Sequence, residues 1–203
     1  MNTLSRIGAA CGAIFAIVLT IAAGDGSHSF SGPRAVAGIA ALTVAVPFIA
    51  YLCSVLRAQA GEGDRWLAGA ALAAGTTGIV LKLGSGAPEL ALHQAHLIPG
   101  TQLYNTIDAI AGGATVLSLY PLAVFCAATA IIAFRARALP RWLAAGATLT
   151  AAALTVNGAF LGTSFVPALL LFLLWTLLAS VHLLRRTWRK PVPVAHAQAT
   201  AHA

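Results

Sequence analysis

RWLAGAALAAGTTGIVLKLG, residues Arg65 to Gly84, opens on a cation and an indole and then runs for fifteen residues without a charge until Lys82. About 20 helical residues, at ~1.5 Å each, cross a hydrocarbon layer of ~30 Å, so the run has the length to span a bilayer with its Arg-Trp start at one interface. Its Ala, Gly and Thr content suits close helix packing in lipid.

Working outward, five more runs have the same character. The expected spans are 5–23, 34–56, 66–86, 107–134, 142–161 and 165–184, all within one membrane domain over residues 1–190. Residues 191–203, PVPVAHAQATAHA, form a low-complexity segment expected to be a disordered cytoplasmic tail. The first run also has the outline of a signal peptide, with Arg6 before it and Ala22-Ala23-Gly24 behind, but a retained helix completes the charge pattern below. The whole chain agrees: 203 residues, 59% hydrophobic and 8% charged, place it outside the range of soluble domains. Cys11, Cys53 and Cys126 lie singly in apolar runs, which gives no disulfide framework and no zinc site.

A net charge of +7 in a soluble protein would suggest nucleic acid. Here the charge follows membrane topology. With the N-terminus inside, ten of the twelve basic residues fall in inner segments: Arg6, Arg57, Arg65, Arg135, Arg137, Arg141, Arg185, Arg186, Arg189 and Lys190. Only Arg34 lies in an outer loop, and Lys82 lies within a span. Under the positive-inside rule both termini are cytoplasmic, and Trp66, Trp142 and Trp188 fall beside the inner charges, where interfacial indoles belong. The expected fold class is therefore all-α, a polytopic membrane bundle of six transmembrane helices. The expected location is the bacterial cytoplasmic (inner) membrane, with membrane lipids as partners and no nucleic acid.

RWLAGAALAAGTTGIVLKLG also parallels RWLAAGATLTAAALTVNGAFLG at Arg141 to Gly162. A parallel repeat would put Lys82 and Asn157 at nearly equal depth. Alanine-rich helices produce such matches by chance as well, and both readings stand.

The chemistry-bearing stretch is KLGSGAPELALHQAHLIPGTQLYNTID, Lys82 to Asp108. Lys82 lies about 24 Å above Trp66 at the helical rise, in the outer part of the hydrocarbon layer. Glu89 and Asp108 come out near or beyond the outer boundary. Pro88 suits the first turn of a separate short helix, on which Glu89, His93 and His96, spaced i, i+4, i+7, would share a face. That face admits three roles: a solvated loop helix, proton exchange near neutral pH, or a transition-metal site, although no second His-rich helix completes the last. Lys82 is costly at its depth unless it snorkels or pairs with Glu89 or Asp108, and a carboxyl held in an apolar cup could instead serve as an acid. The candidate catalytic residues are Glu89, Asp108, His93 and His96. The candidate substrate-binding residues are Lys82, Tyr104, Tyr120 and Asn157, with no metal and no cofactor expected.

Three segments, VLSLYPLAVFCAA at Val116 to Ala128, ALPRWL at Ala138 to Leu143 and PALLLFLLWTLLASVHLLRR at Pro167 to Arg186, resemble a widespread group of small multi-span bacterial membrane proteins whose activities are little characterised. Those motifs mark spans and turns rather than a catalytic centre. In size and architecture the chain is similar to the small integral-membrane terpene cyclases that act on prenylated indole or diketopiperazine natural products. That resemblance implies acid catalysis on a lipid-soluble isoprenoid substrate, with the acid role falling to Glu89 or Asp108. The aromatic content, 7%, is low for an enzyme that steers carbocations. A small proton-coupled transporter and a non-catalytic accessory subunit are the alternatives, and the sequence sets no oligomeric state.

Overall fold

The computed structural model describes residues 3–23, 32–95, 98–161 and 166–189; the side chains at 22, 23, 32–35, 89, 93, 161, 166 and 189 fall outside that description. The tail at 191–203 and His96 lie outside the described residues. Six α-helices fill the rest: α1 (Thr3–Ala23), α2 (Gly32–Gln59), α3 (Arg65–Gln94), α4 (Gln102–Ala136), α5 (Arg141–Val156) and α6 (Val166–Arg189). A single 3₁₀ turn, Glu62–Asp64, precedes α3, and a π-helical turn, Asn157–Leu161, continues α5. No strand occurs among the described residues. All six helices are long and apolar enough to cross a membrane, which is compatible with a multi-pass integral membrane protein.

The helices close into a ring in chain order, each packing on its predecessor and α6 returning to α1. Short connections enforce this for α2–α3 and α4–α5, because a few residues can join only antiparallel neighbours. Two backbone devices make the second of these turns. Arg137 takes a left-handed conformation (φ 52°) that ends α4, and the Pro140 carbonyl accepts from the Leu143 and Ala144 amides to begin α5.

Inside the ring, aromatic rings interlock. Phe15 meets Phe172 edge-on at 6.4 Å, and Trp175 meets Phe125 edge-on at 6.0 Å. The buried Trp175 Nε1 donates to the Leu143 carbonyl at 3.0 Å, so the indole is satisfied away from water. Around these rings the backbones approach where a side chain would not fit. A Cβ on Gly12 would collide with Ser180 Oγ and the Phe48 ring, and one on Gly78 would sit 2.7 Å from Leu122 Cγ.

Lengths set the profile of the bundle. The 35 residues of α4 rise about 52 Å and the 30 of α3 about 45 Å, well beyond a hydrocarbon layer of ~30 Å, whereas the 21 residues of α1 match it. The α3–α4 hairpin therefore projects past the ends of α1 and α5. The sequence reading starts a separate helix at Pro88; instead α3 runs unbroken through it to Gln94. An interior proline costs about 3 kcal/mol, and here the extensive pairing of α3 with α4 offsets it. α4 likewise begins at Gln102, a turn before the expected span, because Thr101 caps it: its Oγ1 accepts from the Tyr104 amide at 3.3 Å.

Contacts between helices gather the basic residues at one end, where Arg135 pairs with Asp64 at 2.8 Å and Arg186 donates to the Ala138 carbonyl at 3.3 Å. Arg6 stacks over the Trp188 ring there at 5.6 Å, which brings the start of α1 to the end of α6.

Close approach at Gly78 has a direct test. Gly78→Ala is expected to lower stability by about 1–3 kcal/mol through overpacking against Leu122. Gly113→Ala, where a Cβ meets nothing within 4 Å, should be neutral or stabilising by up to about 1 kcal/mol. Thermal unfolding of the two variants in the same detergent checks the contrast.

Candidate functional site on the α3–α4 hairpin

Along α3 the residues Ala71, Gly75, Gly78, Lys82 and Ser85 recur in steps of four and three; along α4 Ala111, Thr115, Ser118, Leu122 and Phe125 do the same. That is the heptad spacing of two helices wound together. Ala71, Ser85, Ala111 and Ser118 are each at most 3% exposed, which marks the seam between the two helices. The facing pairs run antiparallel: Gly75 lies against Phe125, Gly78 against Leu122, and the Lys82 Nζ donates to Thr115 Oγ1 at 2.9 Å.

Small hydroxyl residues brace the Lys82 level. Ser85 Oγ donates to the Lys82 carbonyl at 2.7 Å and Ser118 Oγ to the Thr115 carbonyl at 2.6 Å. These bonds fold each hydroxyl back on its own helix, which lets the backbones come close without leaving a buried donor unmet. Lys82 itself is half-buried. Thr115 is one partner of its amine, and the ion pair with Glu89 considered from the sequence turns on a side chain outside the description. Thr115, Ser85 and Ser118 do not figure in the sequence reading; the heptad of small residues through the hairpin is the signal that finds them.

An antiparallel seam carries its register outward. Gly78 lies against the Leu122 backbone, and eleven residues outward from that contact position 89 on α3 comes level with Ala111 on α4, so position 108 stands about 4.5 Å, close to one turn, beyond position 89. By the same count position 93 is level with Ile107, about one turn below Tyr104. Positions 89 and 108 stand about 10 and 15 Å beyond the Lys82 backbone, in the part of the hairpin that projects past α1 and α5. Asp108 is exposed there and Tyr104 half-exposed. The apolar cup considered from the sequence would draw on positions 89, 93 and 96, whose side chains fall outside the description, around Asp108. Beside it a shallow, open recess is lined by Gly100, Gln102, Asn105, Thr106, Ala109 and Ile110.

The remaining candidates sit lower, on another pair of helices. Asn157 is 4% exposed, at the start of the π turn, and a Cβ on its neighbour Gly158 would lie 3.2 Å from the Tyr120 ring. The wide turn is what brings the α5 backbone against that ring; π turns are rare and concentrate at functional positions. Asp108 precedes Tyr120 by twelve residues, about 18 Å along α4. The sequence-selected residues thus form two levels: Asp108 and Tyr104 with positions 89 and 93 at the projecting end, and the exposed Tyr120 with the buried Asn157 further along the bundle. Lys82 and Thr115 lie between them.

Comparison with family models, with curated proteins and with solved structures returns no match, so the functional argument rests on this chain's own residues.

The Lys82–Thr115 bond is testable as a coupling. Thr115→Val is expected to cost about 0.5–1.5 kcal/mol in the wild-type chain and close to nothing in a Lys82→Met background. A double-mutant cycle by chemical or thermal unfolding in detergent measures the difference, and equal losses in both backgrounds would show the bond to be energetically idle.

Proposed function

We propose that the chain is an integral membrane enzyme that protonates a lipid-soluble isoprenoid substrate, with Glu89 or Asp108 as the acid. The observation that supports this reading is the seam register, which brings two carboxyl-bearing positions within about one helical turn of each other at the projecting end of an otherwise apolar bundle. A carboxylic acid covered by hydrocarbon retains its proton, so a prenyl chain laid over the hairpin would itself favour the reactive form. The carboxyl O–H bond then breaks as a C–H bond forms at the olefin, or an O–H bond at an epoxide. The resulting cation is closed by a neighbouring double bond, and loss of a proton from the cyclised cation returns the acid.

In this scheme His93 and His96 exchange the proton with water, and Tyr104 and Tyr120 offer ring faces to the cation. Lys82 and Asn157 hold polar groups of the substrate. The site faces the outer leaflet of a bacterial inner membrane, with both termini cytoplasmic, as the clustering of arginines at the opposite end favours. No cofactor takes part.

A second reading is a small proton-coupled carrier using Lys82, Asn157 and Asp108. It draws on the buried Asn157 and the half-buried Lys82. The interlocked Phe15, Phe125, Phe172 and Trp175 side chains fill the interior through which its cargo would pass. Uptake into proteoliposomes that follows a proton gradient would favour the carrier over the enzyme. An accessory subunit would show neither turnover nor uptake.

Membranes containing the wild type, Glu89→Gln or Asp108→Asn, incubated with prenylated olefin and epoxide substrates, test the leading reading. At least one variant should lose about 10²-fold or more in product formation with unchanged thermal stability. Turnover unaltered in both variants would remove the two carboxyl groups from the chemistry.

A further inference from the structure

The arginine-rich end of the bundle carries more positive charge than its internal contacts use. Arg135 is paired with Asp64, and Arg186 is engaged by the Ala138 carbonyl. Arg57, Arg65, Arg137, Arg141 and Arg185 stand exposed, and among the described residues no hydrogen bond or ion pair holds them. The acids at this end are Glu62 and Asp64, the second already committed to Arg135.

The α4–α5 turn concentrates this surplus on a rigid platform. Arg137 ends α4, Arg141 opens α5, and between them Ala138 and Leu139 are 3% and 4% exposed, which pins the turn to the bundle. Trp142 follows, 54% exposed. The Asp64–Arg135 pair draws the start of α3 beside the end of α4, so Arg65 and the 67%-exposed Trp66 flank the same region. Two Arg-Trp corners therefore frame the end of α4.

A second feature separates this surface from a mere topological signal. Orientation by the positive-inside rule needs only charge, and lysine serves it as well as arginine. Of the ten basic residues the sequence assigns to this end, nine are arginine, Lys190 being the exception. A guanidinium presents a planar fork that bonds two phosphate oxygens at once, whereas an ammonium acts as a compact point charge. Exposed indoles settle at headgroup depth, where those phosphates lie.

We propose that the α4–α5 turn, with Arg65 and Trp66 beside it, is a binding surface for the phosphodiester headgroups of anionic phospholipids. Arg137 and Arg141 grip the phosphate, and Trp66 and Trp142 seat the glycerol and upper acyl region. The proposal does not depend on any catalytic role for the opposite end.

Native mass spectrometry of lipids retained by the protein, released from vesicles of phosphatidylcholine with a one-quarter share of phosphatidylglycerol, tests it. The wild type should retain phosphatidylglycerol above its share and unfold at a higher temperature than in phosphatidylcholine alone. The pair Arg137→Gln and Arg141→Gln should lose roughly fivefold in anionic-lipid affinity per arginine, while its midpoint in pure phosphatidylcholine stays at the wild-type value. The pair Arg137→Lys and Arg141→Lys, which keeps the charge, should fall between the two. Retention at the bulk proportion in the wild type, or full retention in the Gln pair, would overturn the proposal. A Lys pair equal to wild type would also overturn it, since charge alone would then account for the retention. Should the Gln pair fail to fold even in phosphatidylcholine, the Lys pair carries the test alone.

Discussion

Two long helices can lie against each other in lipid only if their side chains let the backbones approach, because hydrocarbon supplies no hydrophobic drive for the encounter. In this chain that constraint is met along the α3–α4 seam. Gly75 and Gly78 on α3 receive Phe125 and Leu122, and the Ser85 and Ser118 hydroxyls turn back onto their own helices. Once the seam closes, the hairpin is stiff enough to carry Pro88 without a break and to project past its neighbours. Its register also decides which residues of the far end share a level. The ring of six helices, the filled aromatic interior and the position of the candidate site all depend on it.

The two ends of the bundle differ in kind. One gathers arginines and indoles around the short turns between helices, held by Asp64–Arg135 and Arg186–Ala138. The other is a single raised hairpin bearing the acidic and histidine positions. An apolar body with a basic collar and an acidic prominence presents different chemistry at its two ends. The collar is proposed to bind phosphate and the prominence to exchange protons.

Much of this is legible in the residues. Six helices follow from uninterrupted apolar length alone, since a stretch that long and that free of charge has one stable form in lipid. The gathering of Arg135, Asp64, Arg186 and Trp188 at one end follows from where cations and indoles interrupt those runs. The continuity of α3 is not legible, because Gly84, Gly86 and Pro88 read locally as a break and only the partner helix shows why they are not one. Nor is the Lys82–Thr115 bond: hydropathy registers Lys82 as a cost and a threonine as neutral, and neither scale contains the pairing. The π turn at Asn157 is equally silent, since the expected span runs through it to residue 161 as ordinary helix. In each case the missing information is the register between two helices.

That register is therefore the quantity to measure. With the three native cysteines replaced, a chain carrying Glu89→Cys and Asp108→Cys in membranes should be joined rapidly by a short thiol-to-thiol cross-linker. A chain carrying Glu89→Cys and Ser118→Cys, whose levels differ by about 10 Å, should not. Efficient joining of 89 to 118, or none of 89 to 108 with both thiols reactive, would contradict the hairpin register on which the candidate site rests.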